Sequence, residues 1–255
     1  LTYLEQVIEA LSDYDKKIGY ELVAFPQHGL LRTQSQQLMK EAMRNGATLV
    51  GGVDPATVDR DLEASLHTTF DIATEFQAPI DIHLHNRDDA GRETIRRIIQ
   101  LTEESQLQGK VFISHAFGLN DFVGEERIEV FTALAQQNIG IISSVPLEAN
   151  TIPPLIELQS YGVSVHLGCD NIYDSWSPYG TGNLMDKLAR FGEMNRLTSQ
   201  GQLTQALGLV TDHKITLDKR GEAVWPKVGD EATFLLTQAS CAAEFVAIQT
   251  PVTLS

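Results

Sequence analysis

The feature that most constrains this chain is a rhythm. Short β-rich runs recur at intervals of about one βα unit, roughly 30 residues, and amphipathic stretches of helical length fill the gaps. The runs are 20–25 (YELVAF), 48–53 (TLVGGV), 80–85 (IDIHLH), 111–115 (VFISH), 140–144 (GIISS) and 163–170 (VSVHLGCD). Between 58 and 76, Leu62, Leu66, Phe70 and Ala73 repeat at spacings of three and four. Ile95, Ile98, Ile99 and Thr102 do so after the third run, and Ile128, Phe131, Leu134 and Ala135 after the fourth, which predicts helices. Pro153 and Pro154 are expected in the first turn of a short helix reaching about Tyr161.

Strict alternation predicts a parallel α/β sheet covered by helices. An open doubly wound sheet and a (βα)8 barrel both fit. The open sheet with a dinucleotide needs a glycine-rich turn between a strand and a helix. Gly180-Thr181-Gly182 is the nearest approach, lacks the third glycine and is read as noise; no GxxxxGK[ST] motif occurs. The tail breaks the rhythm: 224–229 (VWPKVG) reads as a turn and 231–237 (EATFLLT) as one more strand. The expected division is therefore 1–222 as βα barrel units and 223–255 as a C-terminal segment.

The 34 acidic residues outnumber the 19 Lys and Arg, for a net charge of −15. That argues against a nucleic-acid partner, since neutralising phosphates takes clustered cations. No apolar run reaches the roughly 18 residues of a membrane span. Two cysteines, Cys169 and Cys241, build neither a disulfide framework nor a CxxC zinc motif.

In a barrel, functional side chains sit where strands end and βα loops begin. Polar residues collect at those points: Gln27 and His28, Asp54, then His83, His85 and Asn86, then His115, then Cys169, Asp170 and Asn171. On an extended strand, Asp81, His83 and His85 share one side. Ionisable groups there are costly unless paired or metal-bound, and imidazoles with a carboxylate suit zinc or ferrous iron. The plainer alternative is that His83 or His85 caps a hydrogen-bonded barrel layer without a metal. Asp54 also reads as a turn initiator or helix cap, and Gln27 as an ordinary loop residue. His28, His67, His166 and His213 read as structural or solvated. Cys169 reads as a small buried residue, not a nucleophile.

These motifs resemble the amidohydrolase superfamily in its cytosine deaminase-like branch. The matching pieces are VAFPQHG at 23–29, GGVDP at 51–55, DIHLH at 81–85, ISHAF at 113–117 and GCDNIYDSWSPYGTGN at 168–183. GGVDPAT, HLH and the DNIxDxWxPxGxG stretch are especially similar to N-isopropylammelide amidohydrolases. The resemblance implies a hydrolase holding one divalent metal ion, zinc or iron, and cleaving a C–N bond of an amino-substituted heterocycle or cyclic amide. By position it implies His83, His115 and Asp170 as metal residues and His85, Asp170 and His115 as catalytic ones. Gln27, Asp54, Asn86 and Trp176 match positions that line the substrate pocket.

Two departures shape the expectation. Relatives carry an HxH pair on the first barrel strand, and nothing before Tyr20 matches it. The chain is thus expected to hold barrel strands three to eight, without the first two and most of the flanking β-sandwich, to which 223–255 returns. Second, cytosine deaminases place a glutamate where Asn86 stands, and an aspartate often follows where Asn171 stands; a carboxamide does not shuttle protons. The ammelide-like division of proton work between His85 and Asp170 tolerates both changes. The expected partner is a small molecule, with neither nucleic acid nor membrane involved; a homo-oligomer is compatible with the family, and a cytoplasmic location is expected. Two rivals stand beside this reading. One is a non-catalytic small-molecule-binding barrel of the same descent. The other is a glycoside-hydrolysing barrel using Asp54 and Asp170 as paired carboxylates.

Overall fold

The computed structural model describes residues 1–14, 17–31, 35–148, 150–218, 220–231 and 235–254. Its strands are β1 Val23–Ala24, β2 Leu49–Val53, β3 Ile80–His83, β4 Val111–Ser114, β5 Gly140–Ser143, β6 Val165–Leu167, β7 Leu235–Thr237 and β8 Val252–Leu254. The helices are α1 Thr2–Ser12, α2 Ser35–Arg44, α3 Leu62–Phe76, α4 Asp88–Glu104, α5 Gly124–Gln136, α6 Leu155–Ser160, α7 Leu184–Met194, α8 Gln200–Leu207 and α9 Ala242–Ile248. Short turns of tighter or wider helix precede α3 and α5, at Pro55–Asp59 and Phe117–Asp121. No helix among the described residues is long and apolar enough to cross a membrane.

Two compact units are present: residues 1–142 with 148–164, and residues 143–147 with 165–255. In the first unit β1 pairs with β2, β2 with β3, β3 with β4 and β4 with β5, all parallel. Neighbours in sequence are neighbours in the sheet, and no reversal of order occurs through β6. A doubly wound sheet reverses its order at a switch point. The sequential order is that of successive barrel units, so the sequence alternatives resolve in favour of the (βα) barrel type. Gly51 permits the β1–β2 approach, because a Cβ there would stand 2.6 Å from the Ala24 carbonyl oxygen.

The covering helices bury the predicted faces, with two shifts. On α3, Leu66, Phe70, Ile72 and Ala73 are buried, each large side chain contributing about 1.5–3 kcal/mol. Its start is fixed by Asp61, whose carboxylate accepts from Ala64 N at 3.0 Å. Ile95, Ile98 and Leu101 do the same on α4, with Ile99 only half-buried. On α5 Phe131 and Leu134 are buried as expected and Ala135 is half-buried, whereas Ile128 is 52% exposed and Val130 takes its place. Pro153 and Pro154 precede α6, with Pro154 at its N-cap and Leu155 opening the first turn. Lacking N–H groups, they end the incoming extended segment and leave the first turn to residues that follow.

In the second unit β6 continues from β5's last residue, through a bond from Gly168 N to Ser143 O at 2.9 Å. α7, α8 and α9 pack on one another there, burying Leu188, Phe191, Ala243 and Val246. A capping box at Ser199 and Gln202 starts α8. β7 and β8 form an antiparallel pair. The strand expected over 231–237 is seen at 235–237, and 232–234 lie outside the described residues.

Candidate active site at the strand ends

The strands are shorter than the sequence runs. Most candidate side chains therefore stand one to three residues beyond the last ladder residue, as His115 does beyond β4 and Asp170 beyond β6. β3 stops at His83, so His85 is a loop residue and not the third member of a strand face; Asp81 and His83 do share the half-buried side of β3. The loops remain tied to the sheet. Asp54 N donates to His83 O at 3.0 Å, Leu84 N to Ser114 O at 3.0 Å and His115 N to Ile142 O at 2.8 Å.

At these points the chain turns through left-handed backbone. Asp54 (φ 35°), His115 (φ 69°), Ala116 (φ 50°) and Asp170 (φ 65°) all occupy it. For a residue with a Cβ that conformation costs roughly 1–2 kcal/mol. It is held by the ladder bonds just named and by burial of His115, which is 6% exposed.

Asp54 is the hub of the first unit's cluster. It precedes the Pro55–Asp59 turn without capping it through its side chain. Instead its Oδ1 accepts from the backbone N–H groups of His85 (2.7 Å) and Asn86 (3.1 Å). Its Oδ2 lies 2.8 Å from His85 Nδ1. An oxygen of a carboxylate only accepts, so His85 carries a proton on Nδ1. The His85 ring lies 4.3 Å from the His115 ring, and His115 lies 4.9 Å from His83. Phe25 stands edge-on to His83 at 4.7 Å, and Phe117 closes on His85 and His115 at 5.6 and 5.7 Å. Three imidazoles are thus gathered behind aromatic walls, with His85 the most exposed at 44% of its side chain.

Asn86 stands next to this group. Its Nδ2 donates to Thr57 Oγ1 at 2.8 Å, while its Oδ1 is buried and has no hydrogen-bond partner among the described residues. An unmet buried acceptor costs about 1–3 kcal/mol, which a ligand N–H can recover. Below it, Ser114 Oγ donates to Asp81 Oδ1 at 2.7 Å. Burial pushes the Asp81 carboxyl up, against the Ser114 bond and the His83 charge. Gln27 is exposed, with its backbone N bonded to Phe25 O.

In the second unit Asp170 is exposed and follows Cys169, whose thiol is pushed up by burial, the opposite of nucleophile activation. Asn171 Nδ2 donates to both oxygens of Asp174 at 3.1 Å. Asp174 also accepts from the N–H groups of Ile172, Trp176 and Ser177, and the Asn171 bond leads in holding its carboxyl below the usual range. Asn171 is thereby a loop fastener. Trp176 is 74% exposed on that loop. The His166 and His213 rings lie 4.8 Å apart, tilted by 56°, and burial lowers the His166 pKa; His67 lies exposed on α3, 2.8 Å from Arg97. Thr57, Ser114 and Asp174 were given no role by the sequence, although each lies in or beside a motif it singled out. Only for Asp174 was a local signal present, an Asp three residues before a Ser in a Pro-containing loop.

The model of the family described as amidohydrolase family matches residues 6–253. Among curated proteins, the chain is 42% identical over 232 residues to the uncharacterized protein YahJ of Escherichia coli K12, covering 91% of this chain and 50% of that one. It is 31% identical over 239 residues to an N-isopropylammelide isopropyl amidohydrolase of Pseudomonas sp. strain ADP, covering 91% and 53%. The chain thus spans about half the length of these relatives. Among solved structures it resembles N-isopropylammelide isopropylaminohydrolase from Burkholderia multivorans, with a TM-score of 0.87, 28% identity and coverage of 97% and 63%. It also matches a 5-methylcytosine deaminase from Klebsiella pneumoniae liganded with phosphonocytosine, with a TM-score of 0.83, coverage of 98% and 64%, and 22% identity, a likeness of fold alone.

Proposed function

The chain belongs to the amidohydrolase family, and from that membership we propose that it acts as part of a metal-dependent hydrolase. The reaction proposed is cleavage of a C–N bond in an amino-substituted heterocycle or cyclic amide by water. The observation that carries the reading is the Asp54–His85 pair beside two further imidazoles. It is supported by the relatives named for N-isopropylammelide and 5-methylcytosine.

His83, His115 and Asp170 have the donor chemistry for the ion, two imidazoles and one carboxylate. That set fits zinc or ferrous iron. When bound, such an ion would lower the pKa of its water towards about 7 and polarise the carbon under attack. Asp170 takes the proton that the attacking water gives up. His115 steadies the oxygen that gains charge. His85 Nε2 hands a proton to the departing nitrogen, so that a C–O bond forms as the C–N bond breaks and a neutral amine or ammonia leaves. Asp54 keeps the His85 proton on Nδ1 throughout. Asn86 Oδ1 accepts an N–H of the planar ring, with Gln27 and Trp176 at its rim.

The test is elemental analysis of the full-length protein alongside turnover of N-alkyl ammelides and aminopyrimidines. About one zinc or iron per chain, lost with activity in Asp170→Ala, is expected. A folded, metal-free full-length protein would overturn the reading in favour of a binding barrel.

A further inference from the structure

The second unit contains a cavity of about 430 Å³ beside Asp170, walled by Cys169 and Asn171 and by the 180–183 turn. That volume lies within the roughly 300–1,000 Å³ of small-molecule sites. Its floor is α7, from which Lys187 and Arg190 face into the lining. Three residues apart on a helix, they share one side. Each is anchored by one bond to a backbone carbonyl: Lys187 Nζ to Ser144 O at 2.9 Å and Arg190 Nη1 to Val145 O at 3.1 Å. Neither forms an ion pair with a carboxylate among the described residues. Asp186, which also lines the cavity, is turned to Thr181 Oγ1 and Asn183 Nδ2 instead.

Two such cations are unexpected in a chain with 34 acidic residues and a net charge of −15. They stand close enough to disfavour one another: burial first, and then the Arg190 charge, hold the Lys187 ammonium below its ordinary range, against the opposing pull of Cys169, Asp170 and Asp186. An ammonium has three donors and a guanidinium five. Most of theirs remain after the two carbonyl bonds, so an oxyanion placed between them gains charge-assisted bonds and relieves the repulsion. Two residues of its wall, Cys169 and Asn171, are the chain neighbours of Asp170. Gly180 and Gly182, at φ 108° and 78°, let the 180–183 turn fold back on the cavity. A Cβ on Gly180 would meet the Asn171 carbonyl oxygen at 2.4 Å. The Gly-Thr-Gly stretch, noise as a nucleotide motif, is thus a wall of this pocket.

We propose that Lys187 and Arg190 form a carboxylate subsite, and that the heterocycle hydrolysed by this protein carries a carboxylate substituent. The inference rests on the hydrolase reading for its substrate, but the subsite is testable without turnover. Calorimetric titration of metal-loaded full-length protein with orotate and with uracil compares one pyrimidine ring with and without a carboxylate. Orotate is expected to bind at least about tenfold tighter, with the preference lost in Lys187→Met and in Arg190→Met and weakened by added salt. Equal affinity for the two pyrimidines in the wild type, no detectable orotate binding, or unchanged orotate affinity in either folded variant overturns the subsite. The wild-type comparison decides even where a substitution unfolds the chain by freeing Ser144 or Val145. Orotate selectivity in a protein that hydrolyses no aminopyrimidine or ammelide would instead sink the hydrolase reading and leave the subsite standing.

Discussion

Replacing Asp54 by Asn separates fold from chemistry. The carboxylate receives three bonds, from His85 N (2.7 Å), Asn86 N (3.1 Å) and His85 Nδ1 (2.8 Å). An amide of the same shape keeps its oxygen on the two backbone donors and sets an NH2 against His85 Nδ1. Two donors then face each other, and the imidazole must shift its proton to Nε2 or turn away. The lost charge-assisted bond is worth about 1.5–3 kcal/mol. His85 is 44% exposed, and solvent screening of so open a pair brings the stability loss down to about 1 kcal/mol. A fold stable by about 5–15 kcal/mol survives that. Catalysis does not, because the Nε2 proton then sits on a neutral imidazole that has lost the carboxylate favouring the doubly protonated ring, and general acid help worth about 10²–10⁴-fold disappears. The assay is kcat of the full-length variant, with nitrogen NMR of the His85 ring and metal content measured on the same sample. The expected result is a fall in kcat of at least about 10², with metal and fold retained and the tautomer inverted. Wild-type kcat in Asp54→Asn would refute the proton role of His85. Loss of metal would make the pair part of the ion's site.

Other outcomes follow from the first unit. Arg87 grips Asp121 through Nε at 2.9 Å and Nη2 at 2.6 Å, and this fork is the main reason the Asp121 carboxyl sits below its usual range. A lowered folded pKa stabilises above the unfolded value of about 3.9 and loses that stabilisation as pH falls through the folded one. Asp121→Asn should therefore cost about 1–3 kcal/mol at pH 7, and the gap from wild type should close in urea titrations carried below about pH 3; a gap independent of pH would count against the fork. Gly91 lies against the loop that carries Asn86, where a Cβ would meet the Asn86 carbonyl oxygen at 2.3 Å. Gly91→Ala should destabilise by about 1–3 kcal/mol and weaken binding of ring N–H donors, measured by thermal unfolding and ligand titration; an unchanged unfolding midpoint would show that the backbone yields there at no cost.

The rhythm of strands and helices was readable because α3, α4 and α5 each bury one stripe and the parallel strands between them carry buried apolar residues. The reading erred where periodicity is blind to context. Ile128 fits an i, i+3 pattern yet points outward, since the next buried residues are Val130 and Phe131. Most of the β-rich runs overreached at their ends by one to three residues, into loops that turn through left-handed backbone at His115 and Asp170. The strand-end histidines were legible as a group because ionisable residues inside apolar runs are rare. The link between Asp54 and His85 was not, because it spans 31 positions. Asn171 looked like a catalytic position changed to an amide, while its bonds to Asp174 make it a clasp. Lys187 and Arg190 carry no local motif; only the fold brings them to the cavity.

The left-handed positions have an evolutionary consequence. At Asp54, His115 and Asp170, glycine would adopt the same backbone without penalty, so each side chain proposed to act in the site occupies a place where the fold alone would favour having none. Selection for thermal robustness and selection for turnover therefore pull in opposite directions at these three sites. A lineage relieved of its reaction could gain stability there by shedding its chemistry, one glycine at a time.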